Sequence, residues 1–186
     1  MSISTMTRDN LWEVTSRTIV YAAIGAALYA VLVQFSFLLP GTANVSLRPG
    51  FAIVTFFGVA FGPIVGLFTG LVGNAIGDQI SGWGLLTSWN WSVANGLVGL
   101  LAGLLPVYLL SGISNKIVMA GAAAAIAVIV GFLFVFTDLI IGTADTFDTA
   151  LSANYLPVVI SNLISAVILT PILVLVWEPI KEQLGR

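Results

Sequence analysis

Apolar runs of about 20 residues recur along this chain, and that is the length a helix needs to cross about 30 Å of hydrocarbon. Hydrophobic residues make up 59% of the 186 and charged residues only 8%, against roughly 25% charged in an ordinary soluble domain. The expectation is one all-α transmembrane domain over residues 1–186: a compact bundle of six helices, the second short. Cysteine and histidine are both absent, which removes disulfides, thiolate chemistry and imidazole catalysis and leaves only oxygen ligands for a metal. With a net charge of −2 and no basic cluster, nothing in the chain suits a nucleic-acid backbone.

We place the spans near 18–39, 50–61, 63–79, 91–111, 117–142 and 155–178, with breakers at the joints: Pro40-Gly41, Pro49-Gly50, Gly62-Pro63, Gly82, Gly84 and Ser111-Gly112. The second span covers only about 17 Å as a helix, so it is either a short tilted helix or fused to the third across Gly62-Pro63. Basic residues favour six spans. Arg8, Arg17, Lys116, Lys181 and Arg186 then share the side of the N-terminus, and only Arg48 lies opposite. The positive-inside rule puts both termini in the cytoplasm. The first run is too long for a cleavable signal. Residues 1–17, with Arg8, Asp9, Glu13 and Arg17 beside Leu11, Trp12 and Val14, read as an interfacial helix anchored by Trp12.

On the third span Gly62, Gly66, Gly70, Asn74 and Asp78 recur every four residues, broadened by Gly73 and Gly77. On the fourth, Trp91, Asn95, Gly99 and Gly103 share a face; on the sixth, Asn154, Asn162, Ala166 and Thr170 do. Small residues at this spacing admit a neighbouring backbone. An unpartnered amide in hydrocarbon costs several kcal/mol, so Asn74, Asn95 and Asn162 require partners: each other, water or a ligand. Three amides at similar depth in the outer half point to a pocket. Trp83, Trp89 and Trp91 cluster before and into the fourth span, either as an aromatic belt or as a flat surface for a ring. Arg48, near Thr42, Asn44 and Ser46, is either a solvated charge or a contact for an anionic group. Asp138 lies about one turn inside the outer end of the fifth span, where we expect it to reach water, away from the other polar residues. In the first span Ala22, Ala26 and Ala30 form one line, with Ala23 and Ala27 beside it, as internal packing or as a docking face.

No phosphate-binding loop and no hydrolase dyad appear, so no enzyme and no cofactor are expected. A binding or transport protein powered from elsewhere remains.

The stretch Phe56-Phe57-Gly58-Val59-Ala60-Phe61-Gly62-Pro63-Ile64-Val65-Gly66, then Gly73-Asn74-Ala75-Ile76-Gly77-Asp78 and the Trp-rich run, resembles the S components of energy-coupling factor (ECF) transporters, nearest to the UPF0397-like group. The motif-like similarity covers about residues 45–105, the architecture the whole chain. The resemblance implies a subunit that binds a vitamin or related micronutrient at its outer end, under the loop between the first two helices, and then topples in the membrane. A membrane T component and two cytoplasmic ATPases supply the drive. It also implies that an Ala-x-x-x-Ala pattern on the first helix docks the T component, matched here by Ala22, Ala26 and Ala30 or by Ala23 and Ala27. The ligand-binding candidates are read from the stripes: Arg48, Asn74, Asp78, Trp89, Trp91, Asn95 and Asn162. The alternative is an ion-coupled secondary transporter using Asp78 or Asp138, against which no internal repeat and no mid-span charge are found.

Overall fold

A computed structural model describes residues 10–40 and 45–183; Arg8, Asp9, Thr42, Asn44, Arg186 and the first nine residues of the expected interfacial helix lie outside them. Thr15 sets the start of the first helix, α1 (Ser16–Leu32). Its side chain accepts from the Thr18 amide, and the Thr18 hydroxyl accepts from the Thr15 amide, a reciprocal cap on the first turn. Residues 10–15 before this cap are turn and coil, not the helix expected there.

α1 also stops seven residues before the expected 39. Gln34 Nε2 donates to the carbonyls of Ala30 and Gly77, tying the end of α1 to a neighbouring helix, and the chain then leaves the bundle. Phe37–Leu38 (β1) pairs antiparallel with Ser46–Leu47 (β2), Phe37 opposite Leu47 and Leu38 opposite Ser46. Phe37 and Leu38, read as membrane span, thus form a small ribbon over the bundle end. We call this the hairpin end.

After a 3-10 turn at Pro49–Phe51, α2 runs Ala52–Phe61. It is short because it is central: Ala52 and every residue from Val54 to Ala60 is buried among the other helices. Gly62 separates it from α3 (Pro63–Ile80) with φ at 102°, a left-handed conformation only glycine adopts without strain, and the following proline starts the next helix. α4 spans Trp89–Tyr108 and α5 Lys116–Gly131. α5 continues as a 3-10 segment, Phe132–Thr137, and one α-turn, Asp138–Ile141. The chain returns through Phe147–Thr149 and a π-helical stretch, Ala150–Tyr155, into α6 (Leu156–Gln183).

Trp89–Tyr108, Lys116–Ile141 and Phe147–Gln183 are long and apolar enough to cross a membrane. With large apolar side chains such as Ile24, Val31, Ile164, Ile168 and Leu175 exposed outward, the six helices form a transmembrane bundle. At the end opposite the hairpin, Glu178 of α6 pairs with Lys116 at the start of α5 and with Lys181.

The glycine stripes are the seam of this bundle. A Cβ on Gly66 or Gly70 of α3 would run into the α4 backbone at Gly99 and Asn95, and one on Gly103 into the backbone at Gly62 and Pro63. Gly73 and Gly77 face the other way, against α1: a Cβ on Gly73 would lie 2.9 Å from the Ala26 carbonyl oxygen, and one on Gly77 3.6 Å from that of Ala30. Ala26 and Ala30 are therefore buried in helix packing, which corrects their assignment to a docking face. Ala22 is half-buried, whereas Ala23 and Ala27 remain exposed on the outer side of α1.

Gly99→Leu pushes a branched side chain into the Gly66 backbone, so α3 and α4 must separate. Overpacking typically costs 1–3 kcal/mol, and more where backbone rather than a rotamer must yield. The expected result is loss of the monodisperse peak on size-exclusion chromatography in detergent, with Ala27→Leu eluting like the parent.

Candidate functional site

The glycine seam draws α3 and α4 together, and toward the hairpin end larger polar residues take over its faces, with Asn74 of α3 still bonded directly to Ser92 of α4. Asn74 and Asp78 succeed Gly70 on α3, and Asn95 and Trp91 succeed Gly99 on α4. Beside them lies a cavity of about 430 Å³ beneath the ribbon, closed laterally by the end of the fifth span and by α6. Arg48, Asn74, Asp78, Trp91, Asn95 and Asn162 all line it. Trp89 does not: its half-exposed indole packs edge-on to Phe134, with centroids 6.5 Å apart, outside the cavity.

Two hydrogen-bonded groups build the wall. In the first, Arg48 Nη1 donates to Asn74 Oδ1 at 3.1 Å, and Asn74 Nδ2 donates to Asp78 Oδ2 at 2.9 Å and to Ser92 Oγ at 3.1 Å. Next to it, Tyr29 Oη of α1 donates to Asn95 Oδ1 at 2.8 Å, while Asn95 Nδ2 donates back to the Trp91 carbonyl at 2.8 Å. Asn74 and Asn95 thus find the interhelical partners that buried amides require.

The second group centres on Asp138, which is 2% exposed, not in contact with water as expected. Asn90 Nδ2 and Thr143 Oγ1 donate to its Oδ1 at 2.7 and 2.8 Å, and Trp91 Nε1 and Asn154 Nδ2 to its Oδ2 at 3.2 and 2.8 Å. The 3-10 segment just before it explains the difference. At about 120° per residue instead of 100°, six residues turn Asp138 by roughly 120° further around the axis, from the expected face into the bundle.

Two amide oxygens stay unpartnered. Asn154 Oδ1 and Asn162 Oδ1 are buried with no donor, and both residues line the cavity. Sequence reasoning missed Trp83, Asn90 and Asp138 as cavity residues. For Trp83 a signal was there: Gly82 and Gly84 on either side both take positive φ, at 83° and 90°, so the loop is shaped to present that indole. The cavity floor is aromatic, with Phe132 against Phe51 at 5.6 Å and Phe51 edge-on to Tyr29 at 6.2 Å.

Asp138→Leu strands the N–H groups of Asn90, Trp91 and Asn154, each buried donor costing about 1–3 kcal/mol. The thermal midpoint in detergent is expected to fall by roughly 5–10 °C, with Asp138→Asn losing less because it keeps one acceptor oxygen. An unchanged midpoint in Asp138→Leu would mean the carboxylate is solvated after all.

Comparison with known proteins accords with this architecture. A family model described as ECF-type riboflavin transporter, S component, matches residues 13–178. A UPF0397 protein of Aliivibrio fischeri (strain MJ11) is 38% identical over 95 residues, 51% of each chain. One of Vibrio atlanticus (strain LGP32) is 40% identical over 93 residues, 50% of each. The chain spans about half the length of these curated relatives. A solved structure, described as the S component of a bacterial ECF transporter, aligns with a TM-score of 0.58 over 91% of this chain and 98% of that one; at 15% identity the likeness is one of fold. With the family match running from the residues before α1 to the last turns of α6, the chain belongs to the ECF-type riboflavin transporter S component family.

Proposed function

We propose that this chain is the membrane-embedded substrate-binding subunit of an uptake system for a vitamin or related micronutrient, energised by a partner T component and two cytoplasmic ATPases. The observation that carries the reading is the cavity at the hairpin end, about 430 Å³ with two unpartnered buried amide oxygens in its wall. That volume lies within the usual range for small-molecule sites, about 300–1,000 Å³. Arg48, Asn74, Asp78, Trp91, Asn95 and Asn162 are the proposed solute contacts, joined by Trp83 at the rim. Trp91 and Phe132 supply flat apolar walls and the amides supply directional bonds, a combination suited to a heterocyclic ring. Riboflavin, named in the family's description, is the first solute to try.

The hairpin end faces outward in this reading, with both termini cytoplasmic. Among the described residues Arg17, Lys116 and Lys181 lie at the opposite end and Arg48 alone lies beneath the hairpin, the charge asymmetry of a positive-inside protein. Docking of the T component falls to Ala23 and Ala27, the two small residues that α1 leaves exposed among Ile19, Val20, Ile24 and Val31. Neighbouring helices approach closely over such residues.

Three measurements test this. Trp91→Ala and Asn95→Ala are each expected to weaken solute binding by at least about tenfold, since losing one bond to a buried partner costs about 1–3 kcal/mol. Unchanged affinity in both, by calorimetry or tryptophan quenching, would move the site elsewhere. Ala27→Trp is expected to abolish uptake while leaving affinity within a few-fold, whereas Ala26→Trp collapses the fold against Gly73. Retained uptake with Ala27→Trp would remove α1 from the interface. For topology, a cysteine at Ser152 is expected to react with an impermeant reagent in intact cells, and one at Gly112 only after permeabilisation; both are exposed, Ser152 in the π-helical stretch and Gly112 in a turn at the other end.

A further inference from the structure

The ribbon over the cavity has two faces of opposite chemistry. Successive side chains on extended backbone point to opposite sides, so residues two apart share a face. Ser36, Leu38 and Ser46 line the cavity, and Leu38 stands opposite Ser46 in the ribbon. Phe37 and Leu47, the other opposed pair, do not line it, nor does Phe35 in the bend just before. One face therefore closes a polar cavity, and the other turns phenylalanine and leucine away from it. Leu47 is half-buried, but Phe35 and Phe37 are each 67% exposed.

Three observations say what covers those two rings. The first is continuity with the lipid-facing side of α1. Ile24, Leu28 and Val31 are exposed at helical spacing, and Phe35 takes the next place in that stripe just past the end of the helix. The second is charge. No charged residue occurs between Arg17 and Arg48, whereas the connection into α6 at the same end carries Asp145 and Asp148, both exposed. The third is length. The 17 residues of α1 rise about 25 Å, short of the roughly 30 Å of hydrocarbon. On that side of the bundle the apolar layer reaches beyond Leu32, to the depth at which Phe35 and Phe37 stand.

We infer that the ribbon is a lid seated in lipid. Phe35 and Phe37 lie at the boundary of acyl chains and headgroups in the leaflet at the hairpin end, a depth that suits aromatic and leucine side chains, while Ser36, Leu38 and Ser46 close the cavity. Lifting the ribbon off the cavity then means moving two phenylalanines against the bilayer, so lipid holds the lid from outside. The inference goes beyond the proposed function and holds whatever fills the cavity.

The chain contains no cysteine, so one introduced cysteine carries a nitroxide at a single known site. Phe35→Cys, Ser36→Cys and Phe37→Cys, each labelled and eluting as a monodisperse species, are reconstituted without solute into phosphatidylcholine vesicles at high lipid-to-protein ratio. Power-saturation EPR then compares collisions with molecular oxygen, which concentrates in lipid, and with a neutral nickel chelate, which stays in water. Ile168→Cys on the exposed face of α6 gives the lipid reference and Gly112→Cys the aqueous one. The oxygen-to-nickel ratio at Phe35→Cys and Phe37→Cys is expected to exceed that of Gly112→Cys several-fold, with Ser36→Cys falling back toward it. Ratios at both phenylalanine positions equal to the aqueous reference put the ribbon in water and overturn the inference. Equal ratios at Ser36→Cys and Phe37→Cys overturn the two-faced lid. Low accessibility to both reagents at Phe37→Cys means contact with a second copy or another protein, and overturns the assignment to lipid. Failure of the cavity variants to change solute affinity would strike the proposed function and leave these ratios standing.

Discussion

Everything in this bundle depends on how closely α3 and α4 approach. Gly66 against Gly99 and Gly70 against the Asn95 carbonyl bring two backbones together with no side chain between them. Association in hydrocarbon gains nothing from burying apolar surface, because lipid is as apolar as leucine; it gains from dispersion across such close contacts. Where the glycines end, Asn74, Asp78, Trp91 and Asn95 begin, and the cavity lies beside them. One run of residues at four-residue spacing therefore packs one end of the pair and lines the cavity at the other.

The cavity is tolerable because its most deeply buried charged and amide groups are tied to one another across elements. Asn74 answers Arg48, Asp78 and Ser92, Asn95 answers Tyr29, and Asp138 gathers α4, the loop after the fifth span and the turn before α6. Such networks fix the geometry of a cavity, since each member is expensive to leave unpaired in a low-dielectric setting. Against that background the unpartnered amide oxygens of Asn154 and Asn162 stand apart, although Asn154 also holds Asp138 through its nitrogen.

How much of this was legible in the sequence follows from where helical periodicity holds. The breakers at Gly62-Pro63, the four-residue glycine spacing and the amides beyond it belong to regular α-helix, so their faces were readable in advance, and with them five cavity residues: Asn74, Asp78, Trp91, Asn95 and Asn162. Trp89 lies outside the cavity because two positions on a helix turn a side chain by about 200°, which places it on Phe134 instead of beside Trp91. Asp138 failed because the six preceding residues are 3-10 and shift the phase. The ribbon at Phe37–Leu38 and Ser46–Leu47 was hidden by its apolar composition, which reads the same whether a residue faces lipid or lies in a lid. The alanines were ambiguous in principle: Ala26 and Ala27 are identical in chemistry, and only the presence of Gly73 opposite one of them decides which is buried.

The floor of the cavity bears on how a solute bound there would travel. Tyr29, Phe51 and Phe132 are fully buried and packed ring to ring, with α2 filling the centre of the bundle below them and Thr55 hydrogen-bonded to Thr170 at 2.6 Å. Packing of this kind has the density of a protein interior and gives way to a methylene only at measurable cost. A solute the size of a vitamin would have to displace several rings and break the central hydrogen bond to pass straight through. On the proposed function, then, the mouth by which solute enters is also the mouth by which it leaves, and what must move is the protein relative to the membrane. The exposed small-residue face of α1 fits that demand, because a smooth helix surface can slide against a partner without unlocking side chains. Rigidity below the cavity and smoothness beside it are two demands the proposed mode of transport would place on the chain.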